Sequence, residues 1–265
     1  MKFWNIGVEG QVTVGGIFAT FFALNFQNVW PSWVLLPVMC IAAAIGGGLW
    51  GLLPAAFRAK WGTNETLFTL MLNYIAIGVV KYLQGGPWEK VPKGTQMIER
   101  FGTAARLPTV WGITSGCFIV LALVIFMYCY LRFTKHGYQI AVVGESEATA
   151  HYAGIEVGKV IMRTMFVSGA IAGIVGFIVV SGINYTLSDS VAGGVGFTGI
   201  TVAWLAALNP LGMVLISLLL AVLTKGASTI NTLTHNALPE SMSDMLTGLI
   251  LFCMLSSEFF IRYRM

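Results

Sequence analysis

Residues 10–57 contain no Asp, Glu, Lys or Arg, and this run limits the possible folds more than any motif in the chain. A water-facing surface cannot be built from such a stretch. Five more charge-free stretches follow, at 66–80, 107–131, 164–188, 190–224 and 245–257. Soluble domains carry about 25% charged residues. This chain carries 10%, with 57% hydrophobic residues and a mean hydropathy of +0.80. The charge-free stretches therefore read as lipid-embedded helices. A spanning helix needs about 20 apolar residues, so the first run holds two segments, parted by Asn25, Gln27, Asn28 and Pro31. The 190–224 run also holds two, parted by the helix-breaking pair Asn209-Pro210.

The expected spans are 10–25, 34–53, 64–82, 111–131, 164–182, 196–208, 211–229 and 244–261. The fold class is all-α: a polytopic transmembrane helical bundle of about seven or eight membrane segments, some broken or half-length. The first and sixth spans are the short ones. No domain boundary interrupts the pattern, so residues 1–265 read as one transmembrane domain. Residues 1–10 lack a clean apolar core and a cleavage site, so they read as no signal peptide.

The basic residues suggest an orientation. With 54–63, 132–163 and the C-terminus in the cytoplasm, Arg58, Lys60, Arg132, Lys135, Lys159, Arg163, Arg262 and Arg264 all lie inside. The short connections 26–33, 183–195 and 230–243 then face outward without Lys or Arg. The long hydrophilic connection 83–110 is a mismatch, because it carries Lys90, Lys93, Arg100 and Arg106 outward. The cations form no dense patch, so the net charge of +4 gives no support to nucleic-acid binding.

Gly47-x-x-x-Gly51, Gly169-x-x-x-Gly173 and Ala172-x-x-x-Gly176 put small residues on single helix faces, which fits close packing within the chain. Four glycines in Gly193–Gly199 weaken a helix by about 1 kcal/mol each relative to Ala. A bent or broken element at the outer membrane surface is expected there.

Three constellations could carry function. The first is Asn5-Ile6-Gly7-Val8-Glu9-Gly10-Gln11, an acid and two amides directly before an apolar helix. Polar groups at membrane depth line cavities or satisfy broken backbone. An ordinary helix start at the interface explains the same residues equally well. The second runs from Thr63 to Tyr74. Thr63 is the expected N-cap, with Glu65 near the helix N-terminus. Thr66, Thr69 and Asn73 share one face, which either lines an aqueous path or hydrogen-bonds neighbouring helices.

The third is the cytoplasmic segment Val143–Ile155. A short helix is expected from an N-cap at Ser146 to about Ala153, stopped by Gly154. Its small residues, rimmed by Glu145, Glu147 and Glu156, suit docking into a partner's groove; a solvated loop is the competing account.

Catalytic signatures are missing. Gly158-Lys159 falls short of a phosphate loop because Ala153 and Val160 stand where Gly and Ser/Thr are required. Cys40, Cys117, Cys129 and Cys253 form no Cys-x-x-Cys pair and read as lipid-buried or core thiols. His136, His151 and His235 read as separate loop residues. No cofactor and no metal site is expected.

Taken together, Asn5–Gln11, Asn64–Leu67 with Leu70–Ala76, and Gly144-Glu145 with Tyr152–Ile155 and Ser168–Gly173 carry a family resemblance. Gly196–Ile200 and Asn209–Gly212 add to it. The chain resembles the permease subunits of bacterial ABC importers of the ribose/branched-chain amino acid type, in the nucleoside and simple-sugar branch that works with lipoprotein binding proteins. The resemblance covers essentially the whole chain.

It implies a multi-pass protein of the bacterial plasma (inner) membrane, with a cytoplasmic C-terminus. It implies import of nucleosides, purine nucleosides among them, or of simple sugars. The expected partners are cytoplasmic ABC ATPase subunits, a second permease subunit, an extracytoplasmic lipoprotein binding protein, the small-molecule solute and membrane lipid, but no nucleic acid. The permease itself performs no covalent chemistry. On this footing the pathway residues are Asn5, Glu9, Gln11, Thr66, Thr69 and Asn73, and the ATPase-coupling residues are Gly144, Glu145, Ala150, Tyr152, Ala153 and Gly154.

Two departures stand out. Ser146-Glu147 replaces the family's usual Asn-Pro, and Thr149 its Ala. The Asn-Ile-Gly-x-Glu-Gly-Gln motif, which usually follows further spans, begins at Asn5, so about 80 residues of the family pattern are expected to be missing. An ion-coupled secondary transporter of a small polar solute is the alternative, since broken helices and intramembrane polar residues also suit that class.

Overall fold

A computed structural model describes residues 5–90, 94–110, 112–206 and 208–233, with a few isolated positions beyond. By its contacts the chain divides into two units, 1–197 and 198–265. The first is a helical bundle built from α1 (Val8–Phe26), α2 (Ser32–Trp61), α3 (Glu65–Gln84), α4 (Gly116–Phe133), α5 (Lys135–Glu145), α6 (Glu147–Tyr152) and α7 (Val157–Val179). α8 (Val195–Leu205) runs across the division, and α9 (Pro210–Leu233) lies in the second unit. Four helical stretches among the described residues are long and apolar enough to cross a membrane: Ser32–Trp61, Glu65–Gln84, Gly116–Phe133 and Val157–Asn184. The polytopic helical class follows. The expected span 244–261 lies almost wholly outside the described residues.

α1 is not among those four, and its burial explains its weaker hydropathy. Glu9, Gln11, Thr13 and Thr20 are buried within it, so it is a central helix wrapped by others. Glycines make that wrapping possible. Cβ atoms built at Gly15 and Gly47 would collide with the backbone of α7, and one at Gly173 would strike the Ala43 carbonyl. A Cβ at Gly176 would meet the Val12 carbonyl of α1. One at Gly51 would lie 2.8 Å from the Met165 carbonyl. Here α1, α2 and α7 touch backbone to backbone, as small-residue faces allow in lipid. The glycine and alanine repeats thus serve packing inside the chain.

One end of the bundle carries α5 and α6. Two helices there have Ser/Thr caps: the Thr134 hydroxyl accepts the Gly137 N–H and the Ser146 hydroxyl accepts the Thr149 N–H. α5 was unforeseen in the sequence, as was the start of α7 at Val157. His136 and His151 lie in α5 and α6 rather than in loops, and His235 is outside the described residues. Arg58, near the end of α2, pairs with Glu65 at the start of α3 at 3.4 Å. The N-cap of α3 is Asn64, whose side chain accepts the N–H groups of Thr66 and Leu67. The expected cap, Thr63, sits one residue too early for its hydroxyl to reach them.

The other end is closed by the connection after α3. It contains a short hairpin, Thr109–Val110 with Ile113–Thr114, and a bridge between Glu89 and Ile98. This connection is not simply hydrophilic. Ile98, Phe101, Ala105 and Leu107 are buried in the main core with Leu35, Val80 and Phe177. It is fastened by Phe101 N–H to the Tyr185 carbonyl (2.8 Å), Leu107 N–H to the Ser181 carbonyl (2.9 Å) and Gly102 N–H to Gln27 Oε1 (2.6 Å).

In the second unit, Asn209 accepts the Leu211 N–H, and Pro210 opens α9. Pro at the first helical position has no N–H that needs a partner. The expected break at Asn209-Pro210 is present. Cys40 is partly buried, Cys117, Cys129 and Cys253 are exposed, and all four are free.

Candidate functional site

The start of α1 and the glycines at the start of α8 meet at one polar cluster. Asn5 and Gln11 exchange amide hydrogen bonds at 3.1 and 3.2 Å, and Asn5 also donates to Ser168 Oγ on α7 at 3.4 Å. Asn5 Oδ1 accepts the Gly7 N–H at the start of α1. Asn73 of α3 grips α1 twice: its Oδ1 accepts the Gly10 N–H at 2.8 Å, and its Nδ2 donates to the Ile6 carbonyl at 3.0 Å. Gly7 and Gly10 permit this approach, since a Cβ on either would lie 2.9 Å from an atom of Thr69 or Asn73.

Glu9 completes the cluster. It is buried, and its two carboxylate oxygens accept the N–H groups of Gly194 (2.7 Å) and Gly196 (2.8 Å) at the start of α8. Gly193 and Gly194 have φ of +54° and +80°, a conformation that costs an L side chain about 1–2 kcal/mol. These glycines turn the amides toward the carboxylate. A negative group there also complements the positive end of a helix.

The depth of this contact corrects one expectation. The segment after Tyr185 starts beside Phe101 at the closed end of the bundle. It then passes Gly16 of α1 at Leu187 and Val191, and packs Ala192 with Val12. It reaches Glu9 at Gly194 and Gly196. Glu9 lies about 27 Å along α1 from Gln27, at roughly 1.5 Å per residue. The glycine-rich break therefore meets the start of α1, far along that helix from its Gln27 end, with Gly196 buried against Glu9 while Gly193, Val195 and Gly199 stay exposed. The Glu9 hydrogen bonds supply the backbone partners that membrane depth demands of irregular chain.

The six sequence-derived pathway residues thus fall into one neighbourhood, with different accessibility. Glu9, Gln11, Thr69 and Asn73 are buried, while Asn5 and Thr66 are partly exposed. Thr69 Oγ1 donates to the Thr66 carbonyl on its own helix. No Lys, Arg or His contacts the cluster in any described hydrogen bond or ion pair. Ser168, Gly194 and Gly196 join it without having been singled out as site residues. Among the described residues, the charge at the cluster is the Glu9 carboxylate, already held by backbone amides.

At the end of the bundle carrying α5, α6 has the expected shape. Its end is closed by Ile155 N–H to the Ala150 carbonyl (2.9 Å) and Gly154 N–H to the His151 carbonyl (3.0 Å), with Gly154 at φ +73°. This paired arrangement is the Schellman stop, which favours Gly at that φ. Tyr152 is 94% exposed, and Glu145, Glu147, Ala153 and Gly154 are exposed with it. Ala150 is fully buried with Val143 and Val160, so it anchors the helix rather than forming its outer face; Gly144 is partly buried.

Comparison with known proteins follows this geometry. A family model described as "branched-chain amino acid transport system / permease component" matches residues 1–255. The guanosine ABC transporter permease protein NupP of Bacillus subtilis is 32% identical, over 96% of this chain and 74% of the relative. The glucose ABC transporter permease protein TsgB13 of Haloferax volcanii is 30% identical, over 98% of this chain and 71% of the relative. The nucleoside ABC transporter permease protein NupB of Lactococcus lactis is 30% identical, over 94% and 71% respectively. No solved structure matches the chain. A helical membrane bundle in which two helix starts meet at one polar cluster, matched along nearly its whole length by transport permeases, belongs to the ABC transporter permease family of the branched-chain amino acid type.

Proposed function

We propose that this permease imports nucleosides or simple sugars through a path that passes the Asn5–Gln11 cluster. The observation that carries the reading is the meeting of two helix starts, α1 and α8, at one polar cluster, with Glu9 already occupying the amides at the start of α8. Transporters use such discontinuous helices to build solute sites near the membrane midplane. In several of them the helix end binds an anionic group of the solute. Here the protein's own carboxylate fills that role, which favours a neutral polar solute over one led by a carboxylate. The names of the relatives, a guanosine, a nucleoside and a glucose permease, agree with that chemistry.

Glu9 holds the start of α8 and Asn73 holds the start of α1 in this proposal, and Asn5, Gln11, Thr66 and Thr69 supply amides and hydroxyls along the path. Two such permease subunits form the conduit, and an extracytoplasmic lipoprotein delivers the solute. The end of the bundle carrying α5 and α6 faces the cytoplasm, as does the C-terminus. Cytoplasmic ATPase subunits dock there on the face formed by Glu145, Glu147, Tyr152, Ala153 and Gly154. Ala150 and Gly144 hold that face in shape. ATP hydrolysis belongs to the partners, and the permease changes which side its path opens to.

The test is uptake by proteoliposomes containing the permease, the ATPase subunits and the binding protein. Radiolabelled guanosine or glucose should enter only with ATP present, and an ionophore should not stop it. Uptake that persists without ATP and collapses with the ionophore would overturn the proposal in favour of ion-coupled transport.

A further inference from the structure

α4 is almost bare: among its described residues only Gly116 is buried. A crevice of about 310 Å³ opens between α4 and α7 at the end carrying α5. Leu52 of α2, Tyr130 of α4, and Phe166 and Val167 of α7 form its apolar walls. His136 and Arg163, both exposed, complete the lining, and the His136 ring stacks on Tyr130 at 6.3 Å.

The charge here is one-sided. Arg163 forms no ion pair among the described residues, nor do Arg132 at the end of α4 and Lys135 at the start of α5. Glu156, at the foot of α7, is taken by Lys159 at 2.7 Å. Arg132 donates to the Tyr128 hydroxyl at 3.2 Å, but no carboxylate pairs with any of these three cations among the described residues, and an apolar slot beside them fits an amphiphile with an anionic head. A soluble anion would leave the walls uncovered, and a zwitterionic lipid would leave the cations without a net counter-charge.

We infer that this crevice holds an anionic phospholipid of the cytoplasmic leaflet, one acyl chain lying against Tyr130 and Phe166 and the phosphate meeting Arg163 and His136. The leaflet assignment rests on the orientation proposed above; the preference for an anionic headgroup does not. Basic pockets between helices on the cytoplasmic side recognise such headgroups through charge, while the chains bury the apolar walls. The bound lipid would also fill the gap that separates α4 from α7.

Native mass spectrometry of the full chain, released from nanodiscs of equal phosphatidylglycerol and phosphatidylcholine, tests the site. Phosphatidylglycerol should be retained preferentially, and Arg163→Gln should weaken that preference about fivefold. Phe166→Trp, which fills the slot without changing charge, should lower retention of both lipids. Equal retention of the two lipids would overturn the inference, as would retention insensitive to both variants. Displacement of the lipid by millimolar glycerol phosphate would show that a free phosphate ester suffices, and would overturn the lipid assignment. Exclusion of the lipid when a second permease subunit is added would make the crevice a protein interface instead, and would also overturn it. Nanodiscs are symmetric, so this result is independent of orientation. Labelling of Lys159→Cys in oriented vesicles, with the four native cysteines replaced by serine, tests the orientation alone: reaction only from outside would overturn the leaflet assignment and leave the lipid preference standing.

Discussion

The Glu9 carboxylate stands 2.8 Å from the Gly196 N–H, and a Cβ built on Gly196 would lie 2.5 Å from the Glu9 backbone nitrogen. The two residues are locked by charge on one side and by the absence of a side chain on the other. Glu9→Gln should keep the shape but set an amide N–H₂ against one of the two glycine N–H groups. Hydrogen bonds to a charged group contribute about 1.5–3 kcal/mol. A lower midpoint of thermal unfolding in detergent is expected for Glu9→Gln, and a larger drop for Gly196→Val. A midpoint unchanged in both variants would refute the lock.

Asn73 binds α1 through both ends of its amide. Asn73→Leu leaves the Gly10 N–H and the Ile6 carbonyl without these partners, at about 1–3 kcal/mol for each buried group. Its membrane abundance should fall together with uptake. Thr66→Val, on the partly exposed turn below, should change solute uptake at normal abundance. Quantitative blotting beside an uptake assay separates the two outcomes.

Gly154 is required for its backbone angle, not for space, since a Cβ there would meet nothing within 4 Å. Gly154→Val should strain the turn by roughly 1–2 kcal/mol or more, whereas Gly154→Asn, which tolerates positive φ, should be much milder. ATP-driven uptake should fall in the Val variant and largely survive in the Asn variant. Substrate capture by the binding protein should be the same in both.

Phe101 is fully buried under the closed end of the bundle, although it belongs to a long connection. Phe101→Ala should cost about 3–5 kcal/mol and loosen that end. Limited proteolysis should then cut within 94–110 faster than in the unaltered protein.

Much of this was legible in the amino acids because lipid is a demanding solvent. Charge-free runs placed the transmembrane segments to within a few residues at most ends, although α2 runs eight residues past its expected span, α7 starts seven residues before its own and α4 starts five residues late. Polar residues before α1 and on α3 marked the cluster, because such groups inside a membrane need partners. What stayed hidden depended on contacts distant in sequence. The Gly194 and Gly196 amides find their acceptor 185 and 187 residues away, and a non-helical strand descending through a bundle has no periodicity to reveal it. Phe101 and Leu107 looked like loop residues because Lys90, Lys93, Arg100 and Arg106 dominate their neighbourhood. The cap of α3 shifted from Thr63 to Asn64 because a one-residue change decides which amides a side chain reaches.

The glycine contacts among α1, α2 and α7 have a mechanical consequence. Main chain resting on main chain leaves few rotamers to yield, so these helices are expected to move as one block. Opening and closing during a transport cycle should then occur at the thinner seams, where α3 meets α1 through Thr69 and Asn73 and where α4 barely leans on its neighbour.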